Sequence, residues 1–424
     1  MTDTIFALSS GSPPAAVAVV RISGPGADAA LQSLAGTLPE ARRATLATLT
    51  AKGELLDRAL VLRFPGPRSA TGEDVAELHL HGGRAVVGAV LEALAALPGL
   101  RPAEPGEFTR RAFENGRIDL AEAEGLADLL AAETRSQRQA ALALAGGALS
   151  RRVEAWRQRL LEHSAALEAA LDFSDEGEVD EAWPGGWHDG VRALAGEIEA
   201  LLARPAAERL RDGLRVVIAG PPNAGKSSLL NALVEREAAI TSALPGTTRD
   251  LVEAPAAIGG MPFVLVDTAG LRDSEDEIEA IGVARARSSL GGADLVLWLG
   301  DPAEAPEGPE TILVRSKCDL GEAGPAPGLR VSAATGEGLD ALVGAMIDRG
   351  SRLLPGEGEV AANARQRQAL RGAAAFLAEA AGAGDMLIAA EALRQARGAL
   401  DLVTGRAGVE DMLDGLFARF CIGK

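Results

Sequence analysis

"LRVVIAGPPNAGKSSLLNAL", residues 214–233, decides how the middle of this 424-residue chain folds. Its opening run is short, apolar and rich in β-branched residues, as a buried strand requires, and it stops at a glycine. The loop beginning at that glycine fits G-x-x-x-x-G-K-[ST], with Gly220, Gly225, Lys226 and Ser227 at the fixed positions and Asn223, Ala224 and Ser228 between and beside them. Backbone N–H groups of such a loop close around phosphates, and the helix starting near Lys226 adds the positive end of its dipole. Lys226 is then expected to reach the β and γ phosphates, and Ser227 to offer its hydroxyl to Mg²⁺.

Further short motifs come after it in order. "PGTTRD" (245–250) stands where a switch segment belongs, with Thr248 as a second Mg²⁺ hydroxyl. "VDTAG" (266–270) ends the next strand-like run; it puts Asp267 near the metal through water and the Gly270 N–H near the γ phosphate, with Thr268 and Ala269 between them. In "SKCD" (316–319), Asp319 is suited to accept the N1 and N2 protons of guanine beside Lys317. In "SAATGEG" (332–338), the Ala333 N–H next to Ser332 is suited to the base O6. Taken in this order, the set resembles translation-factor-like GTPases. Two departures stand out. GTPases usually carry Asn where this chain has Ser316, which predicts a weakened contact to the base or to the phosphate loop. Small GTPases place a water-orienting Gln after the DTAG motif, where this chain has Leu271. Glu275, Asp276, Glu277 and Glu279 come in close succession, and they read either as an acidic, solvated helix start or as the source of a replacement.

Around this centre the chain has three textures. Residues 1–117 alternate strand-like runs, "AAVAVVRIS" (15–23), "RALVLRF" (58–64) and "DVAELHLH" (74–81), with amphipathic helical stretches, which predicts an α+β domain. From Ile118 to 212 the sequence is Ala/Leu/Glu/Arg-rich with apolar residues at i, i+3, i+4, and reads as helix throughout; the same texture returns over 351–424. The predicted fold is therefore a multidomain α/β and all-α chain, in which a discontinuous helical domain (118–212 and 351–424) receives an inserted, Ras-like α/β domain at 213–350. A formal charge of −18 disfavours long-range attraction to nucleic acid or an anionic membrane. Two cysteines, Cys318 and Cys421, exclude a disulfide scaffold, and no stretch has 18 uninterrupted apolar residues, so the expected location is the cytoplasm with no membrane partner. His79, His81, His163 and His188 show no metal-ligand spacing and read as structural.

The loop "GPPNAGKSS", the switch "PGTTRD", "DTAGLR" with "EIEAIG" (277–282), "TGEDVAELHLHGG" (71–83), "PGEFTRRAFENGRIDLAEAEGLADLL" (105–130), "LDFSDE" (171–176) and the terminal "CIGK" together resemble the MnmE family of tRNA modification GTPases along the whole chain. The resemblance implies a homodimer. It also implies a flavoprotein partner, MnmG, in a heterotetramer; with it the family adds a carboxymethylaminomethyl or aminomethyl group to C5 of the wobble uridine of certain tRNAs, the tRNA being held mainly through that partner. The N-terminal domain would dimerise and bind 5-formyl- or 5,10-methylene-tetrahydrofolate through Arg21, Glu77, Arg117 and Lys424. K⁺ would be held by Asn223, Ser242, Leu244 and Thr247, and Ala243, Pro245 and Gly246 of the same loop would also lie at the GTP. Glu279 would orient the attacking water. Cys421 falls in the tail the family points at its folate pocket, where it serves either positioning or chemistry. A regulatory or assembly GTPase with no direct part in tRNA modification is the alternative function.

Overall fold

The computed structural model describes residues 3–174, 183–236, 252–267, 292–321, 327–356, 359–407, 410–418 and 420–423. The chain divides into two compact units, one formed by 1–127 with 404–424 and the other by 128–403. The last segment, read from sequence as the end of the helical domain, thus packs with the N-terminal residues.

In the first unit, β1 (Thr4–Leu8), β2 (Val17–Ser23), α1 (Ala27–Ala35), β3 (Thr45–Ala51), β4 (Glu54–Phe64), β5 (Val75–His81), α2 (Arg84–Ala95), β6 (Leu100–Pro102) and α3 (Glu107–Glu114) succeed one another. The sheet has order β3-β4-β5-β2-β1-β6, antiparallel except where β6 runs parallel to β1. Alternation along the strands explains its layers. Phe6, Ala18, Val20, Ile22, Val61, Leu78 and Leu80 point to one face and bury against Leu31, Leu34, Val90 and Leu94 of α1 and α2. On the other face Ile5 and Ala7 of β1 meet Phe108 of α3. Farther along that face Leu46 lies opposite Leu60, and the two side chains are 58% and 45% exposed.

Helix α4 (Leu120–Ala131) is followed by α5 (Arg135–Ala145), α6 (Ala148–Ser174), α7 (Trp187–Leu202) and α8 (Ala207–Asp212). The stretch read as continuous helix is therefore broken. Thr134 caps α5 by accepting from the Gln137 N–H while Gln137 reaches back, a capping box that starts a new helix within an Ala/Leu-rich run. Three further helices, Leu339–Leu353, Ala364–Gly382 and Met386–Thr404, precede a short last one at Glu410–Phe417.

Between these helices lie β7 (Leu214–Ala219), α9 (Lys226–Arg236), β8 (Val252–Ile258), β9 (Met261–Asp267), β10 (Leu295–Trp298), β11 (Glu310–Arg315) and β12 (Leu329–Arg330). Their sheet, β12-β11-β10-β7-β9-β8, is parallel except for β8. After β9 the chain crosses to the other side of β7, so the loop leaving β7 sits at the reversal of strand order, where open α/β sheets bind ligands. Val216, Ile218, Leu265, Leu295 and Leu297 are wholly buried in its core. Among the described residues, no helix is long and apolar enough to cross a membrane.

Candidate functional site

The loop after β7 has the backbone that phosphate binding needs. Gly220 adopts φ +146°, and a Cβ there would lie 3.0 Å from Leu299 Cβ and 3.1 Å from the Leu299 carbonyl carbon, so only glycine fits. Asn223 is left-handed at φ +58°, a conformation that Asn tolerates better than most side chains. Lys226, 8% exposed, donates from Nζ to the carbonyls of Gly220 (3.1 Å) and Pro221 (2.9 Å), which folds its ammonium over the loop's own rim. The exposed Ser227 hydroxyl donates to Oδ2 of the buried Asp267 at 2.5 Å. Two oxygens brought together at the start of α9 and the end of β9 suit Mg²⁺, one as direct ligand and one through water. Ser228 is exposed beside them.

Beyond β11, Ser316 Oγ donates to the Ala224 carbonyl at 2.5 Å and Lys317 Nζ to the Asn223 carbonyl at 2.7 Å. Of the two contacts that Ser316 is expected from sequence to weaken, one to the base or one to the phosphate loop, the loop contact is in place. Its neighbour Lys317 is left-handed at φ +59°. Asp319 is exposed, while Cys318 is buried and its N–H donates to the Val331 carbonyl. Ser332 is fully buried: its N–H donates to the Glu337 carbonyl, and its hydroxyl accepts from the Thr335 N–H, which curls the segment holding Ala333. Ser242, Ala243, Leu244, Pro245, Gly246, Thr247, Thr248, Thr268, Ala269, Gly270, Leu271, Glu275, Asp276, Glu277, Glu279 and Lys424 lie outside the described residues.

A second group of sequence-predicted residues sits in the first unit. Arg21 and Glu77 face each other across β2 and β5, and Glu77 Oε1 accepts from Arg21 Nε (3.1 Å) and Nη2 (2.9 Å). Glu77 Oε2 lies 3.3 Å from His79 Nε2, and the Arg21 guanidinium stands 5.8 Å from the centre of the Phe108 ring. His79, structural by its sequence pattern, thus belongs to the same cluster; the signal available is its i+2 spacing from Glu77 on one strand face. Arg117 is exposed, with its stem close to Gly72 rather than in this ion pair. Tail residues 421–423 are held on both sides. Ile422 pairs antiparallel with Pro105, and Gly423, at φ +97°, approaches β1 so closely that a Cβ would lie 2.1 Å from the Leu8 carbonyl oxygen. Cys421 is exposed, and Phe420 is buried with Phe417, Leu413 and Leu120.

A polar network that the sequence does not reveal seats α3. Arg111 is fully buried and donates to Glu73, to Glu107 at 3.0 Å, and to the carbonyl and carboxylate of Asp3. Arg101 bonds to both Asp3 and Glu107. Burial alone would raise the Glu107 carboxyl, but hydrogen bonds from Arg101, the Glu104 N–H and Arg111 outweigh it and hold it below the ordinary carboxylate range. Arg111 and Glu107 are four apart on one helix, the spacing of a solvated surface pair, and nothing local distinguishes a buried pair of this kind.

Known proteins resemble this chain along its whole length. Residues 4–117 match the family model described as the GTP-binding protein TrmE N-terminus, and residues 120–421 match that of the MnmE helical domain. Proteins named tRNA modification GTPase MnmE are similar over the full chain: that of Erythrobacter litoralis is 59% identical over 424 residues, covering 100% of both chains. The relative from Rhizorhabdus wittichii is 60% identical over 428 residues, covering 100% of this chain and 97% of that one. For Novosphingobium aromaticivorans the identity is 58% over 443 residues, with 100% of both covered. The chain belongs to the MnmE family of tRNA modification GTPases. Its phosphate-loop and guanine-type motifs therefore sit in a GTP-hydrolysing enzyme of tRNA modification.

Proposed function

We propose that this GTPase is stimulated by K⁺ and works as a homodimer with the flavoprotein MnmG in the cytoplasm. In this reading a tetrahydrofolate derivative supplies one carbon to C5 of the wobble uridine, where a carboxymethylaminomethyl or aminomethyl group is built, and the tRNA is held mainly through the partner. The observation that carries the folate half is the seating of 421–423 against β1 and Pro105, in the same compact unit as Arg21 and Glu77. A chain end fixed in this way is suited to deliver Cys421 and the adjoining Lys424 to a site. The donor set fits the ligand class: a pterin offers a guanine-like edge to the Glu77 carboxylate, and cations such as Arg21 and Arg117 attract a glutamyl tail. When bound, the folate supplies the one-carbon unit; Glu77 and Arg21 orient it, and Phe108 gives an apolar wall. Exposed Leu46 and Leu60, neighbours across β3 and β4, leave an apolar pair on the sheet face opposite α1 and α2, which supports dimerisation there. At the nucleotide, Asn223 offers a side-chain oxygen to K⁺ beside the phosphate loop, and Glu279 orients water in place of the missing Gln.

The test is calorimetric titration of the full-length chain, and of one lacking 421–424, with 5-formyl-tetrahydrofolate. Loss of folate binding with GTP hydrolysis retained is the expected outcome. Unchanged folate affinity in the shortened chain would remove the tail from the pocket.

A further inference from the structure

The two side chains leaving the end of β11 form a clasp. Ser316 Oγ holds the Ala224 carbonyl at 2.5 Å and Lys317 Nζ holds the Asn223 carbonyl at 2.7 Å. A carbonyl oxygen cannot donate, so Ser316 must, and a serine hydroxyl has one proton. That proton is committed to the phosphate loop. The asparagine usual at this position of GTPases carries two N–H protons and a carbonyl oxygen, so it is able to hold the loop and still offer a donor elsewhere. Clasp and base-reading loop are one piece: the Val331 N–H donates to the Arg315 carbonyl and the Cys318 N–H to the Val331 carbonyl, tying the Ser316–Asp319 turn to the strand that leads to Ser332.

The polar atoms of guanine can then be assigned. This step rests on the guanine reading of Asp319 and Ala333: the carboxylate takes the N1 and N2 protons, and the Ala333 N–H takes O6. The acceptor left on the adjoining edge is N7. It requires a donor, and Ser316 has none to spare. We propose that Ser316 is a positioning residue that fastens the phosphate loop to the base-reading loop and leaves N7 of the bound guanine unread, so that this enzyme takes 7-deaza-GTP as readily as GTP. In effect, the serine separates two tasks that an asparagine combines. Nucleotide affinity keeps the contribution of a well-placed loop, and base discrimination falls on the N1, N2 and O6 edge alone.

Equilibrium displacement of a fluorescent guanine nucleotide from the full-length protein in Mg²⁺ and K⁺ tests this. The parent protein is expected to bind 7-deaza-GTP and GTP within about twofold of each other; a loss of about fivefold or more on removing N7 overturns the proposal. Ser316→Ala should weaken GTP, GDP and 7-deaza-GTP by one common factor of about 3 to 10, the worth of a net hydrogen bond, and Ser316→Thr, which keeps the hydroxyl, should restore them. An unchanged affinity in Ser316→Ala, or a loss confined to GTP, shows that Ser316 does not act through the loop. In Ser316→Asn the GTP to 7-deaza-GTP preference should open severalfold, and a ratio that stays near one refutes the single-proton argument. Failure of the underlying guanine reading is seen separately: Asp319→Asn should move preference from GTP toward xanthosine triphosphate, and if it does not, Asp319 does not read the base, whatever the 7-deaza result.

Discussion

The phosphate loop and the Arg21–Glu77 cluster are built in opposite ways. The loop is one continuous stretch, residues 220–228, whose backbone is mostly shaped by its own residues, with left-handed Asn223 and Lys226 turned back onto carbonyls five and six residues earlier, and a distant contact where Gly220 is pressed against Leu299. The cluster takes Arg21 from β2, Glu77 and His79 from β5 and Phe108 from α3, with a chain end from more than 300 residues away seated on the same unit. A local site survives changes elsewhere and fails when its own residues change. A dispersed site depends on the packing that brings its parts together, so it fails through residues that never touch the ligand. Ser316 lies between the two cases, being remote in sequence yet bonded directly to the loop.

Breaking the local site should give the largest effect. Lys226→Ala removes the ammonium folded over the phosphate loop, and GTP turnover is expected to fall by about 10²-fold or more, since charge stabilisation in the transition state is lost. Folate titration of the same variant should be unchanged; a parallel loss there would mean the two sites are not independent.

The dispersed site should break from its edge. Gly423→Ala must displace the tail, because the added Cβ meets the Leu8 carbonyl at a left-handed φ, a strain on the order of 1–3 kcal/mol. Affinity for 5-formyl-tetrahydrofolate is expected to drop about tenfold, with GTP turnover within about twofold of the parent. Equal folate affinity in both proteins would show that the close approach of Gly423 to β1 has no bearing on the pocket.

A monovalent cation sharpens the comparison at the nucleotide side. Hydrolysis should run several times faster in K⁺ than in Na⁺, and Asn223→Ala should remove most of that difference by deleting a side-chain oxygen from the loop; equal initial rates in the two salts for the parent would end the K⁺ assignment.

The smallest expected effect concerns acid. The folded-state carboxyl of Glu107 is depressed, so its contribution to stability is present above its unfolded value, about 4.3, and is lost as pH falls through that value and below. Asp3 is depressed too: burial opposes the shift, and Arg101 and Arg111 override it. Thermal unfolding of the first unit should therefore steepen its pH dependence below about pH 4.3, and Glu107→Gln should flatten that slope while lowering stability at neutral pH, where Arg101 and Arg111 lose a charge partner. An unaltered slope in the variant would place the acid sensitivity elsewhere.

Much of the architecture is legible in the sequence because it derives from local periodicity. The runs at 214–219, 261–267 and 295–298 are apolar enough to be buried on both faces, and each is a strand of the parallel sheet, as is the half-buried run at 310–315. β1, β3 and β8 are not legible in that way, since "TIFAL" and "TLATLTA" are short or weakly alternating and gain their pairing from neighbours already in place. The helix breaks within 118–174 escape the same reading because a Thr/Gln capping box is a two-residue signal in a strongly helical context.

By itself the sequence determined the phosphate loop, the order of the nucleotide motifs and the family, because those depend on residue types at fixed short spacings, where backbone geometry comes directly from the residues. The tertiary structure alone decided that Ser316 spends its single proton on Ala224, that His79 shares Glu77 with Arg21, that Arg111 is buried among carboxylates, and that 404–424 joins the N-terminal unit. Each of these is a contact between residues distant along the chain, and the free energy of such contacts is set by burial and by the geometry of the partner, neither of which is written in the local pattern.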